Sequence, residues 1–256
     1  MSQPVVQVQV SGGIATVTLD SPANRNALSR RLLTDLHAAL DRAEQPDVRV
    51  IVLTHTAPTF CAGADLKERG SASDGDDLPG SSPMVRAIER LMQARQPTIA
   101  AVQGPVRAGG IGLMAGCDLI VVQPDVPFAF TEVRIGVAPA IISVPILQRC
   151  PWSKLAGPFL TGEVFDAATA CEMGLVTHVA ADVDAAVHAL AAGILAGAPN
   201  AVAATKTLLH QRPTGATTEA FAAMQALSEQ LFQSAEAAEG MRAFAEKRPP
   251  VWQTES

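Results

Sequence analysis

A chain of 256 residues suits one large domain, or one domain with an appendage. Hydrophobic residues at 48% allow a full core, and aromatics at 4% with no Tyr mean that Ala, Val, Leu and Ile must build it. A net charge of −6 without a basic stripe argues against a nucleic-acid partner, and an anionic ligand would need a local basic pocket.

The N-terminal Met1-Ser-Gln-Pro-Val-Val carries no signal-peptide pattern. The most apolar stretch, Ile99 to Val122, is interrupted by Gln103, Pro105, Arg107 and Asp118, so no membrane span is expected. A cytoplasmic protein is the resulting expectation. Cys61, Cys117, Cys150 and Cys171 show no CxxC spacing and read as buried free thiols.

In chain order, Val5 to Leu19 reads as two strands around Ser11-Gly12-Gly13. Ser29 can cap a helix whose Leu32, Leu33, Leu36, Ala39, Leu40 and Ala43 share one face, with Pro46 as its stop. Val48 to Thr54 is an unbroken apolar run, as in a parallel strand covered on both faces. Glu68 to Pro83 lacks apolar periodicity and predicts a mobile loop. Helical spacing returns at Val85, Ile88, Leu91 and Met92, followed by buried strands Thr98 to Val102 and Leu119 to Val122. This alternation predicts an α/β core of stacked ββα-like units. After about residue 180 the pattern turns helical, with Ala185 to Leu195, a start at Pro199, a helix marked by Phe221, Met224, Leu227, Leu231 and Phe232, and a stop at Pro249-Pro250. The expected division is a core over 1–197 and a helical appendage over 198–256.

Two small-residue turns follow buried strands: Phe60-Cys61-Ala62-Gly63-Ala64-Asp65-Leu66-Lys67 and Gly104-Pro105-Val106-Arg107-Ala108-Gly109-Gly110-Ile111-Gly112. Such turns let a ligand approach the backbone. If they face each other, two N–H donors can meet one oxygen, which makes an oxyanion hole. Tight helix–sheet packing explains either turn alone equally well. Glu132, after the apolar run Pro127 to Thr131, is either a solvated carboxylate or a partly buried general acid/base.

The strings FCAGADLKE, VQGPVRAGGIGLMAGCDL and FAFTEVRIGVAP run in order between an opening LDSPANRNAL and a closing EGMRAFAEKRPPVW. Together they resemble the enoyl-CoA hydratase/isomerase (crotonase) family, from about residue 19 to residue 252. The resemblance implies a spiral of repeated ββα units with a C-terminal helical trimerisation region, assembled as a homotrimer or a dimer of trimers. It implies an acyl-CoA thioester as substrate, no separate cofactor, no metal, and a place in fatty-acid β-oxidation. Ala64 and Gly109 match the two oxyanion donors, and Glu132 matches the second of two family glutamates. Ala62, Ala64, Asp65, Leu66 and Lys67 match the substrate-binding segment, with Lys67 placed for a CoA phosphate. Phe244 and Lys247 match residues that reach the CoA of an adjacent subunit.

The chain departs from the family pattern at Gly112, where two-glutamate hydratases carry their first glutamate. Some bacterial hydratase-like members share this Gly-x-Gly-Leu. Asp118 matches a structural Asp, and the dehalogenase nucleophile would fall at Ala140. One carboxyl suffices for a 1,3-proton shift, whereas hydration asks it to serve both C2 and the water. Hydration of a 2-enoyl-CoA is the first expectation, 3,2-isomerisation the alternative, and a non-catalytic acyl-CoA-binding paralogue a third reading.

Two other readings compete. Gly110-x-Gly112-x-x-Ala115 fits a dinucleotide fingerprint with Glu132 about 20 residues on, but Gly110 stands well after the end of the strand at Val102. No G-x-S-x-G is present, and His37, His55, His178, His188 and His210 read as surface or satisfied residues away from the Gly turns.

Overall fold

The computed structural model describes residues 3–56, 58–65, 68, 82–210 and 217–254. Leu66, Lys67 and most of the expected loop from Glu68 to Pro83 lie outside the described residues.

The main sheet has six strands in the order β1-β2-β3-β4-β6-β9. These are β1 Val6–Ser11, β2 Ile14–Leu19, β3 Val50–His55, β4 Thr98–Val102, β6 Leu119–Val122 and β9 His178–Val179. Only the β1–β2 hairpin is antiparallel; the other neighbours run parallel. A second sheet, in the order β5-β7-β8, contains β5 Val106–Arg107, β7 Phe128–Ala129 and β8 Val164–Phe165.

Successive turns of chain give one strand to the main sheet and one short segment to the second layer. β4 leads to β5, and β6 to β7. The same step carries β3 to Cys61, which bridges in parallel to Val106, and β2 to Leu28, which bridges in parallel to Ala64. This is the spiral of ββα units that the sequence predicts.

Helix α1 (Arg30–Ala43) starts where the Ser29 hydroxyl accepts from the Leu32 N–H at 3.2 Å, relieving an unpaired donor of the first turn. Its predicted face is buried throughout. Helix α2 (Pro83–Gln93) is capped by Ser82 in the same way. Pro83 therefore belongs to a first helical turn rather than to the expected loop, because a missing N–H costs nothing there. Arg90 of α2 pairs with Asp41 of α1 and with Glu44, which caps the end of that helix.

The main sheet is covered on both faces. Ile51, Leu53, Ala100 and Val102 face α1, α2 and the short helix α3 (Gly109–Ala115). Val50, Val52, Ile99 and Val121 face Val183, Val187 and Ala191 of α7 (Val183–Ala196). Burial on both faces is why these strands read as unbroken apolar runs; each fully buried Leu or Ile contributes about 2–3 kcal/mol. Asp182 accepts from the Ala185 N–H and starts α7 two residues ahead of the predicted Ala185.

The remaining helices are α4 (Ala140–Arg149), α5 (Trp152–Thr161), α6 (Ala167–Glu172), α8 (Pro199–His210), α9 (Thr217–Phe232), α10 (Ala235–Glu246) and α11 (Val251–Thr254). Lys206 of α8 is buried and donates to the carbonyls of Leu91 and Gln96 and to Asp118. Asp118 also accepts from the N–H and hydroxyl of Thr98, and from His210 at 2.6 Å.

The prolines 249 and 250 were expected to end the last helix. Instead α10 ends at Glu246, where Lys247 turns left-handed at φ 54, and the prolines lead into α11. Glu239 holds this tail: Arg248 and Arg242 keep its carboxyl down to about 2, and it also accepts from the Val251 N–H. Trp252 and Gln253 donate to the Ala196 carbonyl at the end of α7. Cys61, Cys117 and Cys150 are buried free thiols as expected, but Cys171 is exposed. No single described helix is long and apolar enough to cross a membrane; α7 and α8 pass by length and composition only as a pair bent by 113°.

Candidate active site

The two small-residue turns lie side by side. Phe60 N–H donates to the Pro105 carbonyl at 3.2 Å, and Arg107 N–H to the Cys61 carbonyl at 3.0 Å. On the outer side, Ala62 N–H donates to the Arg25 carbonyl and Leu28 N–H to the Gly63 carbonyl. On the inner side, Ala108 N–H donates to the Ala129 carbonyl at 3.1 Å. The cradle is thus main chain paired with main chain, and side chains only space it.

That pairing needs small residues. A Cβ on Gly110 would stand 2.6 Å from the Cβ of Cys61. Gly63, at φ +92, has room only for hydrogen: a Cβ there would meet that of Ala108 at 3.0 Å, and would stand 3.7 Å from the Gly109 nitrogen. Ala108 itself has φ 47 and ψ −122, strain of about 1–3 kcal/mol for a non-glycine residue at the entrance to α3. Among the described residues, the N–H groups of Ala64 and Gly109 donate to no other group. Leu28 Cδ1 and Met84 Cε lie 3.0 and 2.9 Å from where a Gly109 Cβ would be. Burial pushes the Cys61 thiol up to about 12, so this cysteine is packing, not a nucleophile.

Glu132 is reached from the same seam. β7 pairs with β5 in register, Phe128 beside Val106 and Ala129 beside Arg107, and the chain then bends into a 3-10 turn over Glu132–Ile135. The strand is shorter than the apolar run suggested: its pairing with β5 ends at Ala129, Thr131 already has a helical conformation, and Gly136 at φ 79 ends the 3-10 turn. Glu132 is half-buried, and its Oε2 is buried without a hydrogen-bond partner among the described residues. Burial raises its pKa above the ordinary Glu value, outweighing its own backbone N–H. A carboxyl with an unspent oxygen and a raised pKa can take and return a proton.

Gly112 has no such freedom. Ile142 of α4, 2% exposed, packs against it, and the Ile142 Cβ lies 2.8 Å from where a Gly112 Cβ would be. The place of a family glutamate is thus filled by an apolar side chain, and no open space awaits a carboxylate there. Because Gly110 and Gly112 pack against Cys61 and Ile142, the fingerprint spacing serves packing rather than a pyrophosphate.

Of the other sequence candidates, Ala62 and Asp65 lie on the first turn, where Asn24 Nδ2 donates to Asp65 at 3.4 Å. Glu68, next along, accepts from the Arg30 N–H. Phe244 and Lys247 sit apart, at the end of α10, and Phe244 is 87% exposed. His55, read as remote from the Gly turns, instead stands at their junction, with Nε2 accepting from the Gln103 N–H at 3.0 Å. Neither Ile142 nor His55 carries a sequence signal that would have marked it. Among the described residues no group of three His, Cys, Asp or Glu could hold a metal ion.

Comparison with known proteins agrees with this geometry. Residues 9–255 match the family model described as enoyl-CoA hydratase/isomerase. The chain is 36% identical to the enoyl-CoA hydratase EchA19 of Mycobacterium tuberculosis, covering 98% of this chain and 97% of that one. It is 30% identical to an enoyl-CoA isomerase/hydratase of Mycosarcoma maydis, covering 94% and 92%. An enoyl-CoA hydratase structure from Mycobacterium smegmatis superposes with a TM-score of 0.87 at 30% identity, over 98% and 99% of the two chains. With its spiral fold, paired turns and matched length, the chain belongs to the enoyl-CoA hydratase/isomerase (crotonase) family of enzymes.

Proposed function

We propose that this enzyme converts an enoyl-CoA thioester through its enolate, with Glu132 as the sole carboxylate that moves protons. The observation that carries this reading is the buried Oε2 of Glu132, which among the described residues has no hydrogen-bond partner, beside a seam whose Ala64 and Gly109 amides donate to no described group. The N–H groups of Ala64 and Gly109 hold the thioester oxygen, each contributing about 3 kcal/mol to stabilising its developing charge. Arg25, exposed and joined through its carbonyl to Ala62, adds a cation beside the first turn.

The first reading is hydration of a 2-enoyl-CoA, supported by the names of the relatives. Glu132 takes a proton from water as its oxygen bonds to C3, the C2=C3 electrons move into the enolate, and Glu132 returns the proton to C2. Water is added and the carboxylate regenerated. The second reading is a 3,2-shift, favoured by the packing of Ile142 on Gly112, which leaves one carboxyl to move one proton. Glu132 then takes a proton from C2 of a 3-enoyl-CoA, and the electron pair moves into a dienolate whose charge rests on the thioester oxygen. Glu132 returns the proton to C4 as the C2=C3 bond forms; the reverse runs from C4 to C2. Phe244 and Lys247 reach the CoA of a neighbouring subunit in a homotrimer or dimer of trimers.

Product analysis with short 2-enoyl- and 3-enoyl-CoA esters in deuterated water tests both readings. Hydrated product with no exchange at C4 supports the first; C4-to-C2 transfer without hydrated product supports the second. Tight binding of every ester with no turnover would overturn both.

A further inference from the structure

We infer that His55 is a positioning residue whose ring brackets the two turns and fixes their spacing. The inference rests on the reading that those turns hold the thioester oxygen. His55 ends β3, just before the first turn, and Gln103 follows β4, just before the second. The ring joins them. Its Nδ1 lies 3.1 Å from the Thr56 carbonyl, which can only accept, so the proton of the neutral ring resides there. Nε2 is then the acceptor, and receives the Gln103 N–H at 3.0 Å.

Packing holds the ring in that pose. Phe60, the first residue of the first turn, meets it edge-on with centroids 5.4 Å apart and planes at 77°. On the other side, a Cβ on Gly104 would come within 3.1 Å of its Cε1 and within 3.0 Å of the Pro58 carbonyl carbon. The ring therefore lies against both turns, and Gly104 is small chiefly because the Pro58 carbonyl oxygen would overlap a Cβ there, with the ring behind it. From this junction the chain runs into the Phe60–Pro105 and Cys61–Arg107 bonds that align Ala64 and Gly109.

The bracket works in one protonation state. An imidazolium has no acceptor, so a protonated Nε2 would set one N–H against that of Gln103. Burial lowers the ring's pKa, which keeps it neutral near pH 7. The flanking charges act one residue away: Asp20 accepts from the Thr56 hydroxyl, and Asp184 from the Gln103 side chain. No charged side chain pairs with the ring itself among the described residues.

The test compares His55→Leu, which loses both bonds, with His55→Gln, which can donate to Thr56 and accept from Gln103. His55→Leu should lower kcat ~10- to ~100-fold with a smaller change in KM, the cost of misplaced donors. His55→Gln should recover most of the rate, and its kcat should lose the part of the acid limb that protonation of His55 contributes. The amide resonances of Gly63 and Gly109 should shift in His55→Leu and return in His55→Gln. A folded His55→Leu with unchanged kcat, or with unchanged Gly63 and Gly109 resonances, overturns the inference. The resonances read the bracket even if no enoyl-CoA is turned over, so failure of the proposed reaction and failure of the bracket are separable.

Discussion

Ile142 occupies the space that any side chain at Gly112 would need, its Cβ 2.8 Å from where that Cβ would stand. Restoring a second carboxylate by Gly112→Glu alone should therefore fail. It adds overpacking of about 1–3 kcal/mol, and more for a buried charge. Pairing it with Ile142→Gly should relieve the clash. Thermal unfolding and hydration of a short 2-enoyl-CoA, measured on both variants, check this. A stable single variant that hydrates faster than the native enzyme would show that Ile142 yields readily.

Glu132→Gln should keep acyl-CoA binding and lose at least ~10²-fold in turnover. Since the folded state raises this pKa, it binds the proton more tightly than the unfolded chain does. The ionised group thus costs stability as pH rises from the unfolded value through the raised one, and the whole cost stands above it. Glu132→Gln should accordingly raise Tm at pH 7 to 8 and lose that advantage below about pH 4. Turnover near the native rate in the folded variant would remove Glu132 from the chemistry.

Lys206 and Asp118 form a buried pair that ties α8 to the sheet. Lys206→Met leaves Asp118 with its Thr98 and His210 bonds but without its buried cation. Urea unfolding should show a loss of about 3–5 kcal/mol. Adding Asp118→Asn, which keeps an acceptor for Thr98, should recover part of it. A double variant no better than Lys206→Met would mean that the pair's charge is not what α8 depends on.

Phe244, Phe221, Phe232 and Leu209 are large apolar side chains left exposed on the C-terminal helices. Sedimentation at micromolar protein should give at least a trimer, and Phe244→Asp should weaken it. Lys247→Ala should weaken CoA esters more than pantetheine esters, which lack the nucleotide phosphates. A monomer with full activity would remove the role in trans of both residues.

How much of this was legible varies with the length scale of the signal. The runs read at 48–54, 98–102 and 119–122 were legible because burial on both faces writes an unbroken apolar string. Strands β5, β7, β8 and β9 have two residues each, too few to show a period. Ser29 declared its helix through a local cap, whereas the start of α7 at Val183, capped by Asp182, was missed by two residues. The turns at 60–67 and 104–112 stood out as clusters of small residues, but only the paired main chain shows what the smallness is for. Glu132 was singled out by the apolar run before it and by the resemblance, but only its Oε2, buried and without a hydrogen-bond partner among the described residues, decides between a solvated and a partly buried carboxylate. Ile142 and His55 act across gaps that only the fold closes, one by laying α4 on α3, the other by setting the ends of β3 and β4 together.

The order of the strand ends around the seam bears on how the protein is born. First comes the turn at Cys61, next the turn at Arg107 that bonds to it, and last Ala129, which fixes Ala108. A nascent chain halted before the second turn has nothing to pair the first with. One halted before residue 129 has two turns but lacks their inner support and the carboxylate that follows. Each join closes a long loop, which is entropically slow. Ligand affinity should consequently emerge late in refolding, and the Arg107 amide should exchange with solvent only when the whole spiral opens.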